Sequence, residues 1–304
     1  MSIHRQRLGL YIPWALFALA CLGWTAFWFV AKDQAIRRLD AAIVSAKARG
    51  IDAGYGAVRA SGFPLHLTLT LTGAHLQASP LPRFEAKKLP VSVNLVDPFH
   101  LIVDLKDGVR WTGRDGASHE IDPTRGAMSV HWKGRTMTRV SIDLEGAPAP
   151  RMLVHIRPDA RTPDAWQVAV DISGHETDLA ERVRIGVVLD HTSALAQTRA
   201  GDPLGPWVDA GGHANVEALD LDWHGSKVTG AGALRLDALR RPEGAIELQI
   251  TGGADGLMAL FGGQSLKSSG AATLRAQDGT WRLGDISAPA RPLYPLSSPP
   301  ASAD

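Results

Sequence analysis

Two hydrophobic periods divide the chain. Leu8 to Ala31 is an uncharged, largely apolar run of 24 residues, with His4, Arg5 and Arg7 in front of it. A helix rising about 1.5 Å per residue needs roughly 20 apolar residues to cross a bilayer core. Tyr11, Trp14, Trp24 and Trp28 lie towards the two ends, as in an aromatic belt, and Pro13 is placed in the first helical turns. The next segment, 32–50, keeps a helical period: Ile36, Leu39, Ile43 and Ala46 recur among Arg37, Arg38, Asp40 and Lys47, and Gly50 supplies a stop. It reads as a helix that leaves the membrane and packs on the following domain.

From residue 51 the period falls from 3.6 to 2. Leu65, Leu67, Leu69 and Leu71 alternate with His66, Thr68, Thr70 and Thr72, the pattern of a strand with one apolar and one polar face. The stretches 91–95, 140–144, 166–172, 219–223, 228–236, 246–250 and 280–286 repeat it. Residues 101–105 and 183–189 alternate less cleanly, which predicts strands covered on both faces. Turn signals at 106–108, 114–116, 242–244 and 277–279 separate the runs. The expectation is a mainly β protein: a transmembrane helix and a further helical segment, then an antiparallel meander of twelve to sixteen strands. Such a sheet curls into a trough, packs as a sandwich or closes into a barrel. Two short helices are expected, near 193–199 and 254–261. Phe63 and the leucines at 65, 67, 69 and 71 are expected to be buried together on one face.

These patterns divide the chain into residues 1–7 before the span, a transmembrane signal anchor at 8–31, a helix at 32–50, a β-rich domain at 51–286 and a Pro/Ser/Ala-rich tail at 287–304. Residues 146–150, Gly-Ala-Pro-Ala-Pro, are either an internal boundary or a loop. The apolar run at 8–31 outlasts the core of a cleaved signal and ends without a small-x-small site, so it reads as an uncleaved anchor. The basic residues before it place the tail on the far side of the membrane.

Composition narrows the chemistry. The formal charge is +1, which gives no electrostatic footprint for nucleic acid. The single cysteine, Cys21, lies inside the span, so the β-rich part has no disulfide, cysteine nucleophile or cysteine-based zinc site. Asp220, Asp222 and His224 share one strand face, as ligands would and as a solvated face does. No nucleophile elbow and no phosphate-cradling loop is present; Thr229-Gly230-Ala231-Gly232-Ala233 lies in a strand pattern and marks close backbone approach. His131 and His155 are expected to face solvent.

The stretch Val58-Arg59-Ala60-Ser61-Gly62-Phe63-Pro64-Leu65 is a turn entering a strand. Gly232 to Asp237 followed by Pro242-Glu243-Gly244, and Asp278 to Gly284 followed by Arg291-Pro292-Leu293, complete a series of short motifs. Their order and spacing resemble those of the bacterial DUF2125 family, whose signature matches Gly62, Phe63 and Pro64 here. The resemblance implies a β-rich, membrane-anchored envelope protein and carries no catalytic residue or cofactor. With it, the anchor reads as a single pass through the bacterial inner membrane, with the C-terminal domain in the periplasm. The expected function is non-enzymatic: an apolar groove holding a lipid or another envelope protein, lined by Leu69, Val93, Ile142, Val168 and Leu221. The alternative is a periplasmic hydrolase of an envelope polymer, for which the sequence names no clustered carboxylates or Ser/His pair.

Overall fold

The computed structural model describes residues 3–48, 50–78, 82–113, 117–134, 136–146, 151–174, 182–195, 197, 202–223, 225–252 and 269–292. Helix α1 runs unbroken from Ile3 to Ala48, long and apolar enough to cross a membrane. Pro13 therefore lies in its interior, not in the first turns, and leaves one carbonyl of the preceding turn without its usual N–H. The helix stops where Gly50 adopts a φ of 79° and its N–H bonds the Lys47 carbonyl at 3.0 Å.

The rest is mostly strand. In chain order these are β1 (Ile51–Gly54), β2 (Ala57–Ser61), β3 (His66–Ala78), β4 (Arg83–Asn94), β5 (His100–Asp104), β6 (Val109–Thr112), β7 (Ser118–Ile121), β8 (Arg125–Lys133) and β9 (Thr136–Glu145). After them come β10 (Arg151–Pro158), β11 (Trp166–Ser173) and β12 (Arg182–Leu189). The one-turn helices α2 (Thr192–Leu195) and α3 (Gly205–Asp209) intervene. The remaining described strands are β13 (His213–Trp223), β14 (Ser226–Leu236), β15 (Pro242–Thr251), β16 (Gly270–Gln277), β17 (Thr280–Leu283) and β18 (Ile286–Pro289).

All 18 strands join one antiparallel sheet. Strands β1 and β2 share one edge of β3, and β5 and β6 share the outer edge of β4. The ladder continues from β5 through β8, and from there in chain order to β18. Among the described residues no pairing joins β18 back to β1 or β2, so the sheet is open, with no barrel closure. Pairing of Arg151 with Glu145 through Ile156 with Val140 carries the same sheet across residues 146–150.

Several local expectations change. Residues 242–244 are not a turn: Pro242 opens β15, a position that needs no ladder N–H, and the turn lies at Asp237–Arg241. Residues 280–286 are not one strand, because Gly284 at a φ of 59° turns the chain between β17 and β18. Residues 286–289 are an edge strand, although the sequence there looks like tail. Strand β5 is not covered on both faces, since Ile102 is 40% exposed. Of the helix expected near 193–199 the described part is α2; the one at 254–261 lies outside the described residues, as do 196, 198–201 and 293–304. The glycines of β14 do mark close approach. A Cβ on Gly230 would lie 2.7 Å from the Glu247 carbonyl oxygen, so the neighbouring strand requires their small size.

Candidate functional site

The pairing registers put the apolar half of every alternating strand on one face. One row reads Leu67, Val93, Leu101, Val130, Val140, Ile156, Val168, Val187 and Val216 across successive strands. Beside it runs Leu69, Val91, Val103, Met128, Ile142, Val154, Val170, Ile185 and Leu219. Beyond β13 the rows pass through Gly232, Ile246 and Leu274 to Leu283. A one-residue slip anywhere would break them, so the register is held by the apolar pattern itself.

Cover over this face is uneven. At its N-terminal end α1 lies on the sheet. Trp28, Leu67 and Leu69 form a buried cluster with Ala35, Ile36, Val58, Ala60 and Val93 packed against it. An apolar cavity of about 190 Å³ remains between Ala35 and Leu39 of the helix and the leucines of β3. At the other end Val216, Val228, Ile246, Leu248, Ile250 and Leu283 form a second cluster, with Ile250 and Leu283 only 1% exposed. Between the clusters Val103, Val130 and Leu144 are buried, and beyond them the same face is half-buried. Met152, Val154 and Ile156 of β10, Val168, Val170 and Ile172 of β11, and Val183, Ile185 and Val187 of β12 are in that state, Val187 at the margin where it packs on the C-terminal cluster.

The five groove candidates all lie on this face, in three different settings. Leu69 and Val93 are neighbours beneath α1 and line its cavity. Ile142 and Val168 stand in the middle stretch. Leu221 pairs with Val183 and packs on the C-terminal cluster. They share a surface and not a single pocket.

The signature residues lie elsewhere, in the turn from β2 to β3. Gly62 has a φ of 98°, and a Cβ there would lie 2.8 Å from the His66 carbonyl oxygen, so only glycine fits. The His66 N–H closes the turn on the Gly62 carbonyl at 2.9 Å. Leu67, Leu69 and Leu71 are buried as expected, but Phe63 and Leu65 are not: they are 53% and 51% exposed. The strand begins only at His66. The indoles of the helix reach the turn before it, Trp24 donating to the Pro64 carbonyl at 2.8 Å and Trp28 to the His66 carbonyl at 2.9 Å. Trp28 is thus 6% exposed and belongs to the sheet interface, whereas Tyr11 and Trp14 stay open. Sequence reading missed this contact. Its trace is the apolar character of turn residues beside Pro64 and Pro98, where polar side chains are the rule.

The opposite face is polar. His100 and His131 stack at 3.8 Å, and burial followed by repulsion from His100 lowers the His131 pKa. His155 is exposed and shares a hydrogen bond with Ser141 at 2.9 Å. Asp171 receives Arg184 and Arg182, each at 3.3 Å. Asp220 and Asp222 face away from Leu219 and Leu221, with Lys227 3.5 Å from Asp220; His224 lies outside the described residues. In the β14–β15 turn Arg240 is 6% exposed, and its ion pair with Asp202 raises its pKa. Farther along β3 and β4, where Glu85 shares the Leu89 side of its strand, a cleft of about 280 Å³ is lined by Glu85, Asp107 and Glu120 with their basic partners. Arg83 pairs with Glu85 at 2.7 Å, Lys88 with Asp107 at 3.8 Å and Arg110 with Glu120 at 3.5 Å. Among the described residues no three of His, Cys, Asp and Glu group as a metal site would require.

No curated protein and no solved structure matches the chain. Residues 28–289 match the family described as "Uncharacterized protein conserved in bacteria (DUF2125)". The match begins at Trp28, where the helix meets the sheet, and takes in the strands through β18. It covers most of the sequence, and the chain belongs to the DUF2125 family.

Proposed function

We propose that this is an envelope protein anchored in the bacterial inner membrane by α1, with its sheet in the periplasm, and that the apolar face accommodates lipid acyl chains without catalysing a reaction. The observation that carries the reading is the run of half-buried apolar side chains on β10, β11 and β12, between stretches where Leu67 and Ile250 are buried. The nine aliphatic side chains of β10, β11 and β12 lie in register there, with strands about 4.8 Å apart. Apolar surface left in water costs about 25 cal/mol per Å², and each methylene transferred from water contributes about 0.8 kcal/mol. An acyl chain laid on this stretch buries both surfaces. A protein tethered to a bilayer has such chains beside it. The charged pairs on the opposite face keep that side in water and leave one side for the ligand.

The test is lipid mass spectrometry on the full chain with two single substitutions. Val168→Gln places an amide in the apolar row, and Ala169→Gln places the same group on the polar face one residue away. Lipids around α1 are common to both variants. The reading predicts less bound lipid in Val168→Gln than in Ala169→Gln, with both folded. Equal lipid content contradicts it.

A further inference from the structure

The geometry points to a second membrane contact: the loop tip made by residues 62–65 and 96–99 is seated in the interfacial layer of the bilayer that α1 crosses. This rests on the membrane-anchoring reading above but not on lipid binding by the sheet face.

Depth along the helix sets the level of the tip. Twenty residues at about 1.5 Å each, from Leu8 to Trp28, span the roughly 30 Å of a hydrocarbon core. Trp24 and Trp28 therefore stand at its far boundary, where an indole ring is favourable and its N–H needs an acceptor. The acceptors here are the Pro64 and His66 carbonyls, at 2.8 and 2.9 Å. Phe63 stands edge-on to Trp28 with ring centroids 5.8 Å apart. The turn thus lies level with the end of the span.

The β4–β5 loop lies beside it, since the Leu95 N–H bonds the Leu65 carbonyl at 3.0 Å. Together the two loops expose Phe63, Leu65, Val96 and Phe99 at 53%, 51%, 70% and 50%. Asp97 is the exposed charge among them and belongs at headgroup depth. Charge marks the equivalent ends of later strands. The β10–β11 loop carries Asp159, Arg161 and Asp164, and the β14–β15 turn carries Asp237, Arg240 and Arg241 beside one exposed leucine, Leu239. Among these three described loop regions, the one beside the span is the apolar one.

The helix also fixes the direction of the first strands. Advancing from Trp28 to Leu39 moves about 17 Å along the helix, and advancing from His66 to Leu71 moves about 17 Å along β3. Both intervals begin at the Trp28–His66 contact and end at the same cavity. Strand β3 therefore runs beside the helix, and the first strands stand upright on the bilayer.

The experiment uses the full chain in lipid nanodiscs with an environment-sensitive fluorophore on one cysteine. The native Cys21 reports the span. Phe99→Cys and Lys106→Cys, each with Cys21→Ala, report the tip and the opposite end of β5. Retained β circular dichroism shows that each variant is folded. Nitroxide lipids labelled near the headgroup are expected to quench the Phe99 site and leave Lys106 bright, while deep nitroxides quench Cys21. Quenched Cys21 with Phe99 as bright as Lys106 overturns the tip contact alone. A blue-shifted Phe99 site without nitroxide quenching means that protein, such as a second copy, covers it, and also overturns the proposal. An unquenched Cys21 overturns the anchor reading and the tip with it.

Discussion

The two ends of the apolar face and its middle are built from the same alternation, yet they end in different states. At Leu67 the exposure is 3% and at Leu283 it is 1%, while every apolar-row residue of β10 to β12 is half-buried. The side chains do not account for this, since valine, leucine and isoleucine dominate throughout. Cover accounts for the two ends: helix α1 closes the face over β2 to β4, and the C-terminal strands form their own buried cluster, while Val103, Val130 and Leu144 are buried between them without belonging to either. Alternation in a strand states which side is apolar; it does not state what will lie on that side.

The largest effects should separate ends from middle. Ile250→Ala and Leu283→Ala, at 1% exposure, should each cost about 2–5 kcal/mol in chemical unfolding. Val170→Ala in the middle should cost about 1 kcal/mol. Similar losses at the three positions would mean that the middle is as well packed as the ends.

Within the N-terminal end, Leu69→Ala should cost about 2–5 kcal/mol and Thr70→Ala under about 1 kcal/mol. Their side chains point to opposite faces, with Leu69 opposite Val91 and Thr70 opposite Pro90. Comparable destabilisation would indicate a register displaced by one residue.

A smaller effect concerns pH. Burial, then His100 and Arg139, lower the His131 pKa below its ordinary 6.5, with Asp97 opposing them. The unfolded chain therefore binds this proton first as pH falls. Stability should decline as pH drops through 6.5 towards the folded value and level off below it. His131→Gln should flatten that part of the stability–pH curve; an unchanged slope would show that the stack does not contribute.

Much of the fold is legible in the sequence because period-2 patterning and sheet register are the same information. Leu67, Leu69 and Leu71 alternate with threonines, and Val91 and Val93 meet them across β3 and β4. The Gln277-Asp278-Gly279 signal is a two-residue hairpin turn with positive φ at Asp278 and Gly279. What the pattern could not give was extent. The alternation runs back through Leu65 and Phe63 although the strand starts at His66. It also runs forward from Thr280 to Ile286 although Gly284 reverses the chain. Of the candidate site, the shared face of Leu69, Val93, Ile142, Val168 and Leu221 follows from alternation. Their division among covered and half-covered stretches depends on where α1 packs, a contact between residues about 40 apart that no local period encodes.

The central claim is that the half-buried middle of the face meets acyl chains. Photo-crosslinking in living cells tests it most directly, with a photoreactive amino acid placed at Val168 in one strain and at Ala169 in another. The account predicts a lipid adduct, identified by mass spectrometry, at position 168 and none at 169. Adducts at neither position, or equally at both, would contradict it.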